Sequence, residues 1–139
     1  MLMNRPAVRD AALLLFRVVL GVVFLFHGVH KLFIAGMDAT VSQFTTMGVP
    51  EPQLSAYVTV AAETVGGGML IVGLLTTFVA GAMSLMMAGA LYFAHLPNGF
   101  FVDEGGMEYV LVLIASLLMI VVFGAGRASL DEVLSRVEA

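Results

Sequence analysis

The side chains able to do chemistry in this sequence are few, and they interrupt apolar runs. Arg17, His27, His30 and Lys31 fall within one such run, residues 13–33, and Glu63 breaks a second. His95 ends a third with Asn98 close behind, while Tyr57, Glu108 and Tyr109 stand where further runs begin. Imidazole, ammonium and phenol groups near a membrane surface can hydrogen-bond a ligand and pass protons. An ammonium at their side supports developing negative charge. A deep carboxylate such as Glu63 has to be paired, protonated or bound to a ligand, because burial disfavours the bare ion.

Composition explains why these groups stand out. The 139 residues are 60% hydrophobic and 12% charged, with a mean hydropathy of +1.04. Soluble domains run at about 45–50% apolar and about 25% charged, so this chain is an integral membrane protein. Each ionisable group inside a span costs about 2.5–3.5 kcal/mol on insertion scales, which directs it toward a protein interior or a watery cavity. A net charge of −4 with no basic stretch excludes nucleic acid as a partner. The absence of cysteine excludes a thiolate nucleophile, a disulfide, an iron–sulfur cluster and a c-type haem attachment. Electrons, if they pass through, reside on something bound.

The elements that must position these groups are four apolar helices, at about residues 12–34, 54–75, 78–96 and 107–124, in one unit spanning residues 1–139. The fold class expected is all-α, an integral membrane four-helix bundle. Ser129 opens a short amphipathic tail whose Leu130, Val133, Leu134 and Val137 share a face. The first run is too long for a signal peptide and lacks a cleavage pattern, so it is expected to be retained. Residues 34–55 are too polar and too rich in Gly and Pro to cross lipid, with a short interfacial helix expected over Val41–Met47. A turn at Thr76 and Thr77 returns the third helix beside the second. Ala80, Ser84 and Ala88, with Gly66-Gly67-Gly68, are small enough for close helix contacts within the chain or between copies.

Arg5, Arg9, Arg127 and Arg136 flank the termini, whereas the long connections are acidic, so both termini are expected to be cytoplasmic. His27, His30, Lys31, His95, Tyr57, Glu108 and Tyr109 then gather at the outer face. At about 100° per residue, Lys31 lies roughly 40° from both Arg17 and His27, within one sector of the first helix. An Arg17–Glu63 pair inside the bundle is expected, because either charge alone is costly. The plain alternatives are an Arg17 that snorkels to the headgroups, a Lys31 that anchors at the interface, and histidines bonded to loop carbonyls.

These residues together resemble the DoxX family of small bacterial membrane proteins. The resemblance rests on Arg17 with Gly21 and Phe24, Phe26-His27-Gly28-x-x-Lys31-Leu32, Met47-Gly48-Val49-Pro50, and Glu63-x-x-Gly66-Gly67 with Gly73 downstream. It continues through His95-x-Pro97-Asn98-Gly99-Phe100-Phe101 and Gly126-Arg127-x-Ser129-Leu130-Asp131. The resemblance implies a four-helix fold in the bacterial inner membrane, similar in outline to the small membrane subunit of archaeal thiosulfate:quinone oxidoreductase. Mycobacterial members are described as membrane partners of a superoxide dismutase and a sulfurtransferase. No catalytic residues come with the resemblance; Arg17, His27, Lys31, Glu63, His95 and Asn98 occupy its recurring polar positions.

Three functions are weighed on these grounds. The first is a membrane subunit of a redox complex, docking a soluble or peripheral enzyme and offering a quinone a polar pocket of His27, Lys31, Glu63, His95 and Asn98. There His95 or His27 donates to a quinone carbonyl, with Phe100 and Phe101 at the mouth. The second places haem b between His27 and His95, or a metal on His27 and His30 with Glu63 or His95. The third is a non-enzymatic scaffold or small-solute conduit that associates into homo-oligomers. His30, Tyr57, Glu108 and Tyr109 are secondary candidates in each, and the sequence leaves open whether the chain is an enzyme.

Overall fold

The computed structural model describes residues 2–139, with Met3 described through its backbone alone. Pro6 and Pro52 sit in the first turns of two long helices, where a missing N–H costs nothing. The order is α1 (Pro6–Ile34), α2 (Met37–Thr46), α3 (Pro52–Val72), α4 (Thr76–Asn98), α5 (Glu108–Phe123) and α6 (Leu130–Glu138), with short 3₁₀ turns at Leu2–Asn4 and Val102–Glu104. No strand occurs among the described residues. Helices α1, α3 and α4, of 29, 21 and 23 residues, are long and apolar enough to cross a membrane. Apolar α5 has 16 residues.

Helix α1 packs along α3, α4 along α5, and the pairs join through α3–α4 and α1–α5 contacts into a bundle. Its core holds Phe24, Leu70, Met83, Leu113, Leu117 and Ile120. Large apolar side chains that would be an anomaly in water, including Phe26, Phe33, Val58, Phe78, Leu85 and Val122, cover the outside. In a membrane protein that surface meets lipid.

The α1–α3 register is set by glycine. A Cβ on Gly67 would stand 2.7 Å from the carbonyl oxygen of Gly21, and one on Gly21 would stand 2.6 Å from that of Gly67. Backbones this close leave room for no side chain. Of the other small residues, Ala80 and Ser84 are buried, but Ala88 is exposed and Gly68 meets nothing within 4 Å. The expected Thr76–Thr77 turn lies three residues earlier, at Gly73-Leu74-Leu75, and the connecting helix α2 starts at Met37 rather than Val41. Gly73 (φ 73°) and Leu75 (φ 48°) take left-handed backbone there. That conformation is costly for leucine.

The C-terminal segment compensates by closing over this turn. Asp131 accepts from the N–H groups of Leu75 (2.7 Å) and Thr76 (2.9 Å), capping the first turn of α4, while its own N–H donates to the Gly73 carbonyl at 2.9 Å. A carboxylate at a helix N-terminus satisfies orphan donors and meets the favourable end of the dipole. Ser129 caps α6 by accepting from the N–H of Glu132.

Arg17 is bound into the same clasp, which corrects the expected Arg17–Glu63 pair. The guanidinium, 1% exposed, donates to the carbonyls of Leu70 (2.6 Å), Ile71 (3.4 Å), Ala128 (2.8 Å) and Ala125. Nor does it snorkel. The Gly21–Gly67 contact fixes the antiparallel register so that Arg17 faces the end of α3, roughly 10 Å from Glu63 at about 1.5 Å per residue. Its rigid fork of donors suits the free carbonyls at that end.

Candidate functional site

The opposite end of the bundle holds a cavity of about 540 Å³. Its polar wall comes from His27 and Lys31 of α1, Ser55, Thr59 and Glu63 of α3, His95 and Asn98 of α4, and Tyr109 of α5. Phe24, Met86, Met87, Phe93 and Leu113 form the apolar wall, and Gln43, Phe44 and Met47 of the α2 region close over it. A cavity of this size and make-up, apolar with a few convergent polar groups, is typical of small-ligand sites.

Local helix geometry decides which side chains reach it. Each of the three long helices opens into one π-helical turn, at His30–Ile34, Ala62–Gly66 and Leu91–His95. Lys31, Glu63 and His95 each lie within one of these turns. Such turns interrupt the i→i+4 ladder and cluster at functional sites. Nothing in the apolar periodicity of the sequence announces them.

Lys31 closes on Glu63, its Nζ donating to Oε1 at 2.7 Å and to Oε2 at 2.8 Å. The Glu63 side chain is 7% exposed and that of Lys31 26%, so the carboxylate is the deeply held partner. An ion pair so placed survives desolvation because the ammonium binds both oxygens. Thr40 of α2, 2% exposed, anchors the roof by donating to the Gly36 carbonyl at 3.0 Å and, more weakly, to that of Lys31 at 3.5 Å.

Both cavity histidines are fixed by backbone carbonyls. His27 Nδ1 lies 2.7 Å from the Val23 oxygen and His95 Nδ1 lies 3.1 Å from the Gly105 oxygen. A carbonyl only accepts, so each Nδ1 carries a proton, and in the neutral form of the ring Nε2 is then an acceptor. His27 also stacks on Tyr109, with ring centroids 6.3 Å apart and planes 26° from parallel. Asn98 donates to the carbonyls of Ala94 (3.2 Å) and Gly105 (3.4 Å), so Gly105 holds Asn98 and His95 together.

The remaining sequence candidates lie elsewhere. His30 and Tyr57 are exposed and off the cavity wall, and Glu108 is occupied in its own loop, accepting from the Val102 N–H at 3.0 Å. Phe100 and Phe101 are also off the wall, packed edge-to-face on one another 5.3 Å apart, and the aromatic lining is Phe24, Phe44, Phe93 and Tyr109. Gln43, Ser55 and Thr59 are wall residues that sequence reasoning passed over. Ser55 and Thr59 follow Pro52 at positions that share a helix face with Glu63, the signal that could have found them. Among the described residues no group of three or more His, Cys, Asp or Glu side chains is arranged to share a metal ion, so the His27–His30 ligand set is not assembled.

Several known proteins are similar to this chain in sequence. The chain is 31% identical to "Putative oxidoreductase CatD" of Bacillus subtilis, covering 85% of this chain and 83% of that one. It is 32% identical to "Uncharacterized membrane protein Rv3486" of Mycobacterium tuberculosis (86% and 79% covered), and 25% identical to "Inner membrane protein YphA" of Escherichia coli (91% and 92%). No solved structure matches. The DoxX family profile matches residues 12–96, from the first turns of α1 to the π-turn that carries His95. That span includes Arg17, His27, Lys31 and Glu63 as well, and with these relatives it makes the chain a member of the DoxX family of membrane proteins.

Proposed function

We propose that this DoxX protein is the quinone-binding membrane subunit of a bacterial redox system. It lies in the cytoplasmic membrane with four crossings and both termini inside. The observation that carries the reading is the cavity itself, in which an apolar wall surrounds the Lys31–Glu63 pair and two histidines of fixed tautomer. A lipophilic ring fits such walls, and its oxygens need groups that exchange protons. His27 and His95 supply Nε2 for that exchange, while the stacked His27–Tyr109 pair presents aromatic surface to the ring. The carboxylate of Glu63 holds Lys31 at the wall, where the ammonium faces negative charge on the ligand. With no cysteine on the chain, electrons leave through a docked partner.

The orientation draws on Arg5, Arg9, Arg127 and Arg136 gathering at the clasp end, where Arg127 stands 3.8 Å from Asp10. The oxidoreductase in the CatD name agrees with a redox role. Extraction of the protein purified in gentle detergent tests the proposal: a bound quinone-class lipid is expected, depleted in His95→Ala and Lys31→Met. Wild-type protein that yields none and binds neither added decylubiquinone nor decylubiquinol overturns it.

A further inference from the structure

The hydrogen-bonding groups left free on the cavity wall decide which oxidation state of the ligand fits. Most donors there are used within the chain. Lys31 gives two N–H groups to Glu63. Asn98 gives its amide to the carbonyls of Ala94 and Gly105, and Ser55 gives its hydroxyl to the Pro50 carbonyl at 2.6 Å. His27 and His95 spend their Nδ1 protons on Val23 and Gly105.

What is left includes several acceptors: Nε2 of each imidazole in its neutral form, Oδ1 of Asn98 and the spare lone pairs of Glu63. The hydroxyls of Thr59 and Tyr109 donate or accept as the ligand requires. On the donor side stand one N–H of Lys31 and the amide of Gln43, which lies on the exposed roof helix. A quinone brings only carbonyl oxygens, which the two Nε2 acceptors cannot bond. The corresponding hydroquinone brings two O–H donors.

We infer that the cavity selects the reduced, hydroxyl-bearing form of a lipophilic ring over its quinone. The inference rests on the quinone-class reading of the site and adds the direction in which the wall is polarised. Nε2 of His27 and Nε2 of His95 are the acceptors that face the ligand hydroxyls, and Nε2 is also where a proton leaving either hydroxyl would arrive. A site that presents acceptors to a hydroxyl disfavours the analogue that lacks it, because those acceptors then face the ligand unpaired.

The test is calorimetric titration of the full-length detergent-solubilised protein under anaerobic conditions. The ligands are decylubiquinol, decylubiquinone and the dimethyl ether of decylubiquinol. The hydroquinone is expected to bind about tenfold tighter than both others, the size of one well-matched hydrogen bond. In His95→Phe and His27→Phe, checked for unchanged helical circular dichroism, the ratio of hydroquinone to quinone affinity is expected to fall toward one. Equal or tighter quinone binding overturns the inference and leaves the site reading intact. An ether that binds as well as the hydroquinone also overturns it, since the wall then reads shape alone. Failure of all three ligands to bind removes the site reading itself.

Discussion

Breaking the Lys31–Glu63 pair from one side is expected to cost far more than removing it whole. In Lys31→Met the Glu63 carboxylate, its side chain 7% exposed, loses the group that meets both oxygens at 2.7 and 2.8 Å. An uncompensated buried charge of this kind costs about 3–5 kcal/mol. Glu63→Leu leaves Lys31 alone, but that side chain is 26% exposed and can turn its head to water, so a smaller loss of about 1–3 kcal/mol is expected. The double variant Lys31→Met/Glu63→Leu fills the same space with apolar atoms, and it should fall within about 1 kcal/mol of the wild type or exceed it. The assay is reversible unfolding in mixed micelles with increasing dodecyl sulfate, followed by far-ultraviolet circular dichroism. Analysed as a double-mutant cycle, it should return a coupling of about 2 kcal/mol or more. Single losses below about 1 kcal/mol that simply add would refute the reasoning, for the pair would then be surface decoration.

Three further outcomes are expected. Gly67→Ala, whose Cβ would press on the Gly21 carbonyl at 2.7 Å, should separate α1 from α3 and cost about 1–3 kcal/mol; Gly68→Ala, which meets nothing within 4 Å, should be neutral or stabilising by up to about 1 kcal/mol in the same titration. Arg17→Met should leave the carbonyls of Leu70, Ala125 and Ala128 without their donor and free the C-terminal segment, seen as proteolytic cleavage after residue 123 that the wild type resists. Burial pushes the Asp131 carboxyl up, but the Thr76 and Leu75 N–H groups and the charge of Arg17 together hold it below the usual carboxylate range. Since its folded-state value is the lower one, the stabilisation is complete above the unfolded value near pH 3.9 and is lost as pH falls through the folded value. Asp131→Asn should therefore flatten the acid limb of the stability profile, and an unchanged limb would count against the cap.

Hydropathy made the bundle legible, because lipid demands long uninterrupted apolar helices and the sequence supplies little else. The depth of each polar group was legible too, since helix rise alone carries His27, Lys31, His95 and Tyr109 toward one end. Pairing was not. Which residue answers Glu63 depends on the lateral register of α1 against α3, and that is fixed by the contact of Gly21 with Gly67, a pair that hydropathy treats as filler. Arg17 eluded the same reasoning because its partners are backbone carbonyls of residues 70–71, 125 and 128, which have no signature in side-chain sequence. The wall residues Gln43 and Phe44 depend on α2 folding over the cavity, a tertiary placement that its weakly apolar sequence does not specify.

The π-helical turns in α1, α3 and α4 have a consequence for how such a protein can change over time. Each inserts a surplus residue, so the segment on one side is rotated out of phase with the segment on the other. In α3 the turn separates the half that receives Arg17 from the half that carries Ser55 and Thr59 to the chamber, whereas in α1 Arg17 and His27 lie on the same side of the turn. Substitutions in the Pro52–Ala61 half of α3 can therefore reshape the chamber without turning the Gly67–Val72 half that receives Arg17.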